Sequence, residues 1–210
     1  MYKARLSSLS DLVASGLVSE EQARTLGPVA NKYSTGITRT ALKTINKNDA
    51  YTDPVGRQYV PSPTEADIRP NETADPTGDD VHSPVPGIVH RYPDRVLLKI
   101  TGACAVYCRF CFRRERVGVR GHTLSAAELE NALAYIRTRT DIREVILTGG
   151  DPLVLSPQRL GKVLDALESM DHIEILRLHS RVPIAEPERV TTELCAVLDR
   201  RKAVYLCLHV

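Results

Sequence analysis

Between residues 95 and 210 the apolar side chains gather into four short, nearly continuous runs. Residues 95–101 (R-V-L-L-K-I-T), 144–148 (E-V-I-L-T), 173–178 (I-E-I-L-R-L) and 203–210 (A-V-Y-L-C-L-H-V) are rich in leucine and β-branched residues. Runs of that length and composition predict buried strands. In the stretches between them, apolar residues recur at the three-to-four spacing of an amphipathic helix. Residues 124–137 carry a capping box, Ser125-x-x-Glu128, at their start. Ser156 caps and Pro157 opens a second helix running to about Met170, and residues 187–200 predict a third. Strands alternating with helices imply an α/β fold, with a parallel sheet covered by helices.

The first part of the chain reads differently. Residues 6–45 predict short helices, with Ser19-Glu20-Glu21-Gln22 as a capping box and Gly16 as a stop. Eight of the thirteen prolines then fall between Pro54 and Pro93, so residues 46–94 predict an extended, irregular arm. Three regions are therefore expected: a helical region at 1–45, the Pro-rich arm at 46–94, and an α/β core at 95–210. Each unusual polar motif of the core sits just after a predicted strand, the end at which α/β folds bind ligands. The fourth strand has no helix after it, and its apolar edge would be left open. The pattern is thus expected to be the first part of a (β/α) barrel, truncated after about four strands.

Composition narrows the partners. The net charge of +2, the absence of tryptophan and the presence of only two phenylalanines argue against nucleic acid or a membrane surface. Apolar runs are too short for a membrane-spanning helix, and Met1-Tyr2-Lys3-Ala4-Arg5 opens no signal-peptide core. Five cysteines with three clustered do not form a disulfide framework, so a reducing cytoplasm is expected.

That cluster, Cys104, Cys108 and Cys111 in C-A-V-Y-C-R-F-C, carries the chemistry. Three thiolates can hold a four-iron cluster and leave one iron open to a small molecule, since such clusters take about one cysteine per iron. The spacing resembles the signature of radical S-adenosylmethionine (SAM) enzymes. A zinc site is the alternative, but structural zinc wants four ligands, and only His90 or His122 offers a fourth. The turn Gly149-Gly150-Asp151-Pro152 either closes a strand or brings bare backbone and an acceptor for an ammonium to a ligand. Arg109, Arg113, Arg114, Arg116 and Arg120 read as a solvated or RNA-contacting patch, or as supplying one guanidinium that grips a carboxylate. His90-Arg91-Tyr92-Pro93-Asp94-Arg95 is either a polar strand entry or a phosphate site, and Cys195 and Cys207 are expected in the core.

Four segments in order, 86–99 (P-G-I-V-H-R-Y-P-D-R-V-L-L-K), 104–114 (C-A-V-Y-C-R-F-C-F-R-R), 147–153 (L-T-G-G-D-P-L) and 179–184 (H-S-R-V-P-I), resemble the lysine 2,3-aminomutase family of radical SAM enzymes. The resemblance covers roughly residues 50–210. It implies a partial radical SAM barrel with a [4Fe–4S] cluster, SAM and pyridoxal 5′-phosphate (PLP), used to move an amino group between adjacent carbons of an amino acid, L-lysine first. It assigns Cys104, Cys108 and Cys111 to the cluster, and Phe110, Gly149, Gly150, Asp151 and His209 to SAM. Arg91, Tyr92 and Arg95 match contacts to the PLP phosphate, and Arg113 matches the arginine that pairs with the substrate carboxylate. The PLP-binding lysine of the family would follow the fourth strand, so Lys99, Lys162 and Lys202 do not match it, and turnover by these 210 residues alone is not expected. A small-molecule amino acid and an electron donor such as flavodoxin or ferredoxin are the implied partners, with self-association left open.

Overall fold

A computed structural model describes residues 5–119 and 123–210. Four short helices come first: α1 (Leu9–Ala14), α2 (Glu20–Thr25), α3 (Gly27–Lys32) and α4 (Arg39–Thr44). Ser19 and Gln22 form the expected capping box, and Gly16 ends the first helix region at φ +75°. The arm is less irregular than its prolines suggest. It holds 3₁₀ turns at Lys47–Asp49, Pro63–Ala66 and Asp80–His82, a one-turn helix α5 (Gly56–Tyr59), and a strand β1 (Ile88–Tyr92). That strand was hidden in the Pro-rich composition. Its five residues lie between Gly87 and Pro93, and β-branched Ile88 and Val89 pair with Leu98 and Leu97 across a tight turn.

The core follows as β2 (Arg95–Thr101), α6 (Ala126–Arg137), β3 (Glu144–Gly149), α7 (Pro157–Glu168), β4 (Ile175–Ser180), α8 (Val182–Ala185), α9 (Thr192–Leu198) and β5 (Ala203–Leu208). These strands form one open sheet in the order β1-β2-β3-β4-β5, parallel except for the antiparallel β1. The α/β expectation and the partial barrel both hold, with a fifth strand added by β1. Most boundaries moved by one or two residues, and two of the differences have a visible cause. The third predicted strand begins at Ile175, because the Ile173 N–H closes a turn on Met170 instead. The last predicted helix splits into a 3₁₀ turn at Pro187–Arg189 and α9, whose N-terminus Thr191 caps.

Period-two alternation gives the sheet two unlike faces. On one face Leu98, Leu147 and Leu178 stand in register across three strands and are fully buried. They pack with Leu133 and Ile136 of α6 and with Leu160, Val163, Leu164 and Leu167 of α7. Each such side chain contributes roughly 1.5–3 kcal/mol on leaving water. Arg95, Lys99, Glu144, Thr148, Arg177, His179, Tyr205 and Cys207 alternate with these apolar positions and project from the other face. At the edge, Leu206 continues the leucine row but is 39% exposed.

A second apolar cluster joins the N-terminal helices to the core loops. Leu12, Leu26, Ile37, Ile45 and Tyr59 pack with Val106 of the cysteine loop and Ala185 of α8. The Thr38 hydroxyl donates to the Ala185 carbonyl. Among the described residues no helix is long and apolar enough to cross a membrane.

The caps permit a modest prediction. The Ser125 hydroxyl accepts the Glu128 N–H, and the Glu128 carboxylate accepts the Ser125 N–H. Ser125→Ala is expected to cost about 1 kcal/mol, read as a lowered thermal midpoint.

Candidate active site

The cysteine loop leaves β2 at Thr101 and is held from both sides. Its backbone bonds to the N-terminal region and to α5 through Tyr107 N–H to Gly36 (2.9 Å) and Arg109 N–H to Gln58 (2.8 Å). The Arg109 guanidinium forks onto Glu65 of the arm at 3.0 and 2.7 Å, and Arg5 donates to the Cys104 carbonyl at 2.9 Å. Beneath the loop lies the turn after β3. Gly150 N–H donates to Thr101 and Asp151 N–H to Ala103, at 2.6 and 2.8 Å. A Cβ on Gly150 would stand 2.2 Å from the Ala103 carbonyl oxygen. This glycine is therefore required by one backbone lying directly on another, a reason the sequence reading did not include.

Cys104, Cys108 and Cys111 all line one cavity of 150 Å³, together with Phe110, Arg113, Gly149, Gly150, Asp151, His179, Arg181 and His209. Every residue expected at the cluster and SAM is thus brought together at the C-terminal ends of the strands. Burial pushes the Cys104 thiol well above its usual range, against the small opposing effect of Arg5. Burial likewise raises Cys111, opposed by the Arg113 backbone N–H and by the charges of Arg113 and Arg114. Such thiols ionise when a metal takes the place of the proton, so the donor set fits a three-thiolate group. Among the described residues, no three His, Cys, Asp or Glu side chains converge on a single metal ion. His90 is engaged elsewhere, its Nδ1 being 2.8 Å from the Tyr135 hydroxyl, and His122 lies outside the described residues.

Asp151, which lines the cavity, is held through its carboxylate by the chain itself. Its Oδ1 accepts from the Ser180 hydroxyl (2.8 Å) and the Leu153 N–H (3.0 Å). Its Oδ2 accepts from the N–H groups of Arg181 (2.8 Å) and Val182 (3.2 Å). All four lone-pair directions are taken by the chain. Burial raises the carboxyl above its ordinary value, and these donors oppose the rise. The residue clamps the β3 loop to the β4 loop.

The sequence reading also missed the role of Arg181. Only 8% exposed, it donates through Nη1 to Cys108 Sγ at 2.9 Å and through Nη2 to Gln58 Oε1. Its guanidinium lies over the rings of Tyr59 (5.0 Å) and Phe110 (5.4 Å). Among the described residues no carboxylate side chain is paired with it, and its acceptors are the Cys108 sulfur and the Gln58 amide oxygen. The signal available in the sequence was an arginine placed directly after an apolar strand.

The arginine patch is a set of ion pairs with the arm. Arg113 meets Asp79 (3.0 Å), Arg114 meets Glu65 (3.6 Å) and Arg116 meets Asp80 (2.6 Å); Arg120 lies outside the described residues. Arg91, Tyr92 and Arg95 do not reach the cavity. Tyr92 pairs with Arg95 at the start of β2, about six residues or 20 Å from the cysteine end. Arg91 donates to the Thr77 carbonyl, and Arg95 is held by Asp94 (3.0 Å) and Glu144 (3.8 Å). Cys195 is exposed on α9, contrary to expectation, and Cys207 is half-buried on the polar sheet face near Arg177 (3.6 Å).

A loop of three cysteines above a Gly-Gly turn, at the open end of a parallel sheet, defines the class. Residues 98–205 match the family described as the Radical SAM superfamily, and the chain belongs to it. It is 35% identical over 205 residues to the L-lysine 2,3-aminomutase of Clostridium subterminale, covering 98% of this chain and 49% of that protein. The L-lysine 2,3-aminomutase of Acetoanaerobium sticklandii is 40% identical over 157 residues, 75% of this chain and 38% of that protein. The glutamate 2,3-aminomutase of Clostridioides difficile is 30% identical over 205 residues, 98% and 48%. The chain spans about half the length of these curated relatives. The cofactors of the family are a [4Fe–4S] cluster and SAM, with PLP in its aminomutases.

Proposed function

We propose that the chain supplies the cluster and SAM site of a radical SAM aminomutase that shifts an amino group between C2 and C3 of an amino acid, L-lysine first. The observation that carries this reading is the single cavity shared by Cys104, Cys108, Cys111, Gly149, Gly150 and His209. When bound, the cluster and SAM supply a carbon-centred radical and PLP carries the amino group. The protein's part is to place and enclose them. Cys104, Cys108 and Cys111 would hold the cluster, as three thiolates for a group of four irons. Phe110, the Gly149-Gly150 backbone and His209 wall the SAM space, and Asp151 keeps two of its loops together. Arg113 takes the substrate α-carboxylate. Arg91, Tyr92 and Arg95 take the PLP phosphate at the far end of the polar sheet face, where Tyr92 and Arg95 stand in register. Lysine ranks above glutamate because the lysine enzymes are the more similar relatives, at 35% and 40% against 30%. A low-potential electron carrier such as flavodoxin or ferredoxin would reduce the cluster.

Anaerobic reconstitution with iron and sulfide tests the reading. A brown protein whose reduced-cluster EPR signal changes on adding SAM supports it; a colourless zinc protein overturns it. Arg181 gives a finer measurement. Removing a charged donor from a ligand sulfur makes reduction harder, because the reduced cluster is the more negative state. Arg181→Met is expected to lower the midpoint potential by roughly 65–130 mV, the one-electron equivalent of one charge-assisted hydrogen bond, in an EPR-monitored redox titration.

A further inference from the structure

Asp79 is the buried carboxylate of the Pro-rich arm, and it sits between two cations of the core. Only 4% of it is exposed. Its Oδ2 accepts from Arg113 Nε at 3.0 Å and stands 3.5 Å from Lys99 Nζ. Its Oδ1 accepts the Thr77 hydroxyl at 3.1 Å. The loop that carries it is itself fixed, since the Asp75 carboxylate accepts the N–H groups of Asp79 (2.9 Å) and Asp80 (2.8 Å). Burial alone would raise the Asp79 carboxyl, but Arg113 and Lys99 outweigh it and hold the group ionised, below the ordinary carboxylate value.

The geometry at Arg113 gives this pair its purpose. The guanidinium lies over the Phe112 ring at 4.3 Å, so its plane is set by stacking, and its Nε is taken by Asp79. Among the described residues Nη1 and Nη2 have no hydrogen-bond partner. Those two donors form the edge that grips a carboxylate bidentately. Arg113 and Lys99 also line a cavity of 470 Å³ with Thr101 and Gly149, beside the cysteine cavity. Of the other charged groups lining this cavity, Arg116 is paired with Asp80, and the Glu128 carboxylate is turned back onto Ser125, so neither competes with Asp79 for Arg113.

We propose that Asp79 is a positioning residue: it locks the Nε side of Arg113 so that the opposite edge is presented to the substrate carboxylate. The arm thereby becomes part of substrate recognition. This rests on the reading of Arg113 as the carboxylate-binding arginine. An arginine stem is flexible, and fixing it beforehand removes an ordering cost from binding.

The test uses the holoenzyme that contains this chain, without reductant, in anaerobic equilibrium dialysis against L-lysine and L-lysinamide. Asp79→Ala is expected to weaken L-lysine binding by about 10-fold or more, the scale of one charge-assisted hydrogen bond, and to leave L-lysinamide unchanged. Asp79→Asn is expected to restore most of the loss. Its amide oxygen still accepts from Arg113 Nε, and its NH₂ can donate to the Thr77 oxygen. A merely structural role would weaken both ligands together, and a purely electrostatic one would make the Ala and Asn variants alike; either result overturns the proposal. Should Asp79→Ala not fold, Asp75→Ala loosens the same loop and is expected to give a smaller loss with the same selectivity; an unselective loss there overturns the proposal. If the unaltered enzyme, or its Arg113→Gln variant used as reference, shows that Arg113 does not distinguish acid from amide, the substrate reading itself falls. If Arg113 distinguishes them and Asp79→Ala still does so undiminished, only the role of Asp79 falls.

Discussion

Cys108→Ala is expected to leave the anaerobically reconstituted protein short of iron and sulfide and without an EPR response to SAM. Each cluster iron takes one thiolate, so losing any of the three cysteines opens a second iron to solvent. Cys104→Ala and Cys111→Ala share that loss. Cys108→Ala carries an additional one, because Arg181 donates to this sulfur and among the described residues has no carboxylate partner. Removing the sulfur takes away one of the two hydrogen-bond acceptors of a buried guanidinium and leaves Gln58 Oε1 as the other, a change that costs about 1–3 kcal/mol. Cys108→Ala should therefore melt below both other variants, even before metal is added. Cys195→Ala is the control: the residue is exposed on α9, and neither iron content nor melting should move. Equal melting of all three loop variants would show that Gln58 and the rings of Tyr59 and Phe110 suffice to hold Arg181.

The second large effect is expected at Gly150. Its added Cβ would meet Ala103 O at 2.2 Å, Ala103 C at 2.7 Å and Ala103 N at 2.8 Å. All three are backbone atoms, so no rotamer change relieves the overlap. The β3 turn must move off the cysteine loop, breaking the bonds from Gly150 N–H to Thr101 and from Asp151 N–H to Ala103. Gly150→Ala is expected to cost about 3 kcal/mol or more, at the upper end of overpacking penalties, and to reduce iron uptake with it. Gly161→Ala makes the comparison informative. Gly161 lies inside α7, and its Cβ would meet nothing closer than 3.7 Å. There alanine should stabilise by roughly 0.5–1 kcal/mol through helix propensity. Thermal midpoints shifting in opposite directions would confirm both; a tolerated Gly150→Ala would mean that the two backbones lie farther apart.

What the sequence made legible was local. Ser19, Ser125 and Ser156 each cap the helix expected of them, because a cap is read within four residues. The four core strands appeared because a buried parallel strand must be apolar on one face along its whole length. The cysteine spacing lies within one loop and needed no partner to be recognised. What escaped was long-range. Asp79 and Arg113 are 34 positions apart, and Arg181 and Cys108 are 73 apart, with no periodicity to connect them. β1 escaped for another reason: a five-residue strand between prolines is outweighed by their composition. The exposure of Cys195 followed from the same weakness at the end of the core, where a predicted fourteen-residue helix became a 3₁₀ turn and the short α9, which buries Leu194 and turns its neighbour outward.

The two-faced sheet has a consequence for how this chain can diverge. Along β2, Val96, Leu98 and Ile100 support the packed layer, while Arg95 and Lys99 face the chemistry one residue away. Adjacent positions thus answer to different selective pressures. A lineage changing its substrate can alter every second residue of a strand while keeping the fold intact. A library for altered specificity should accordingly be drawn from the odd-numbered positions of β2 other than Arg95, which is proposed to take the PLP phosphate, and keep the even-numbered ones fixed.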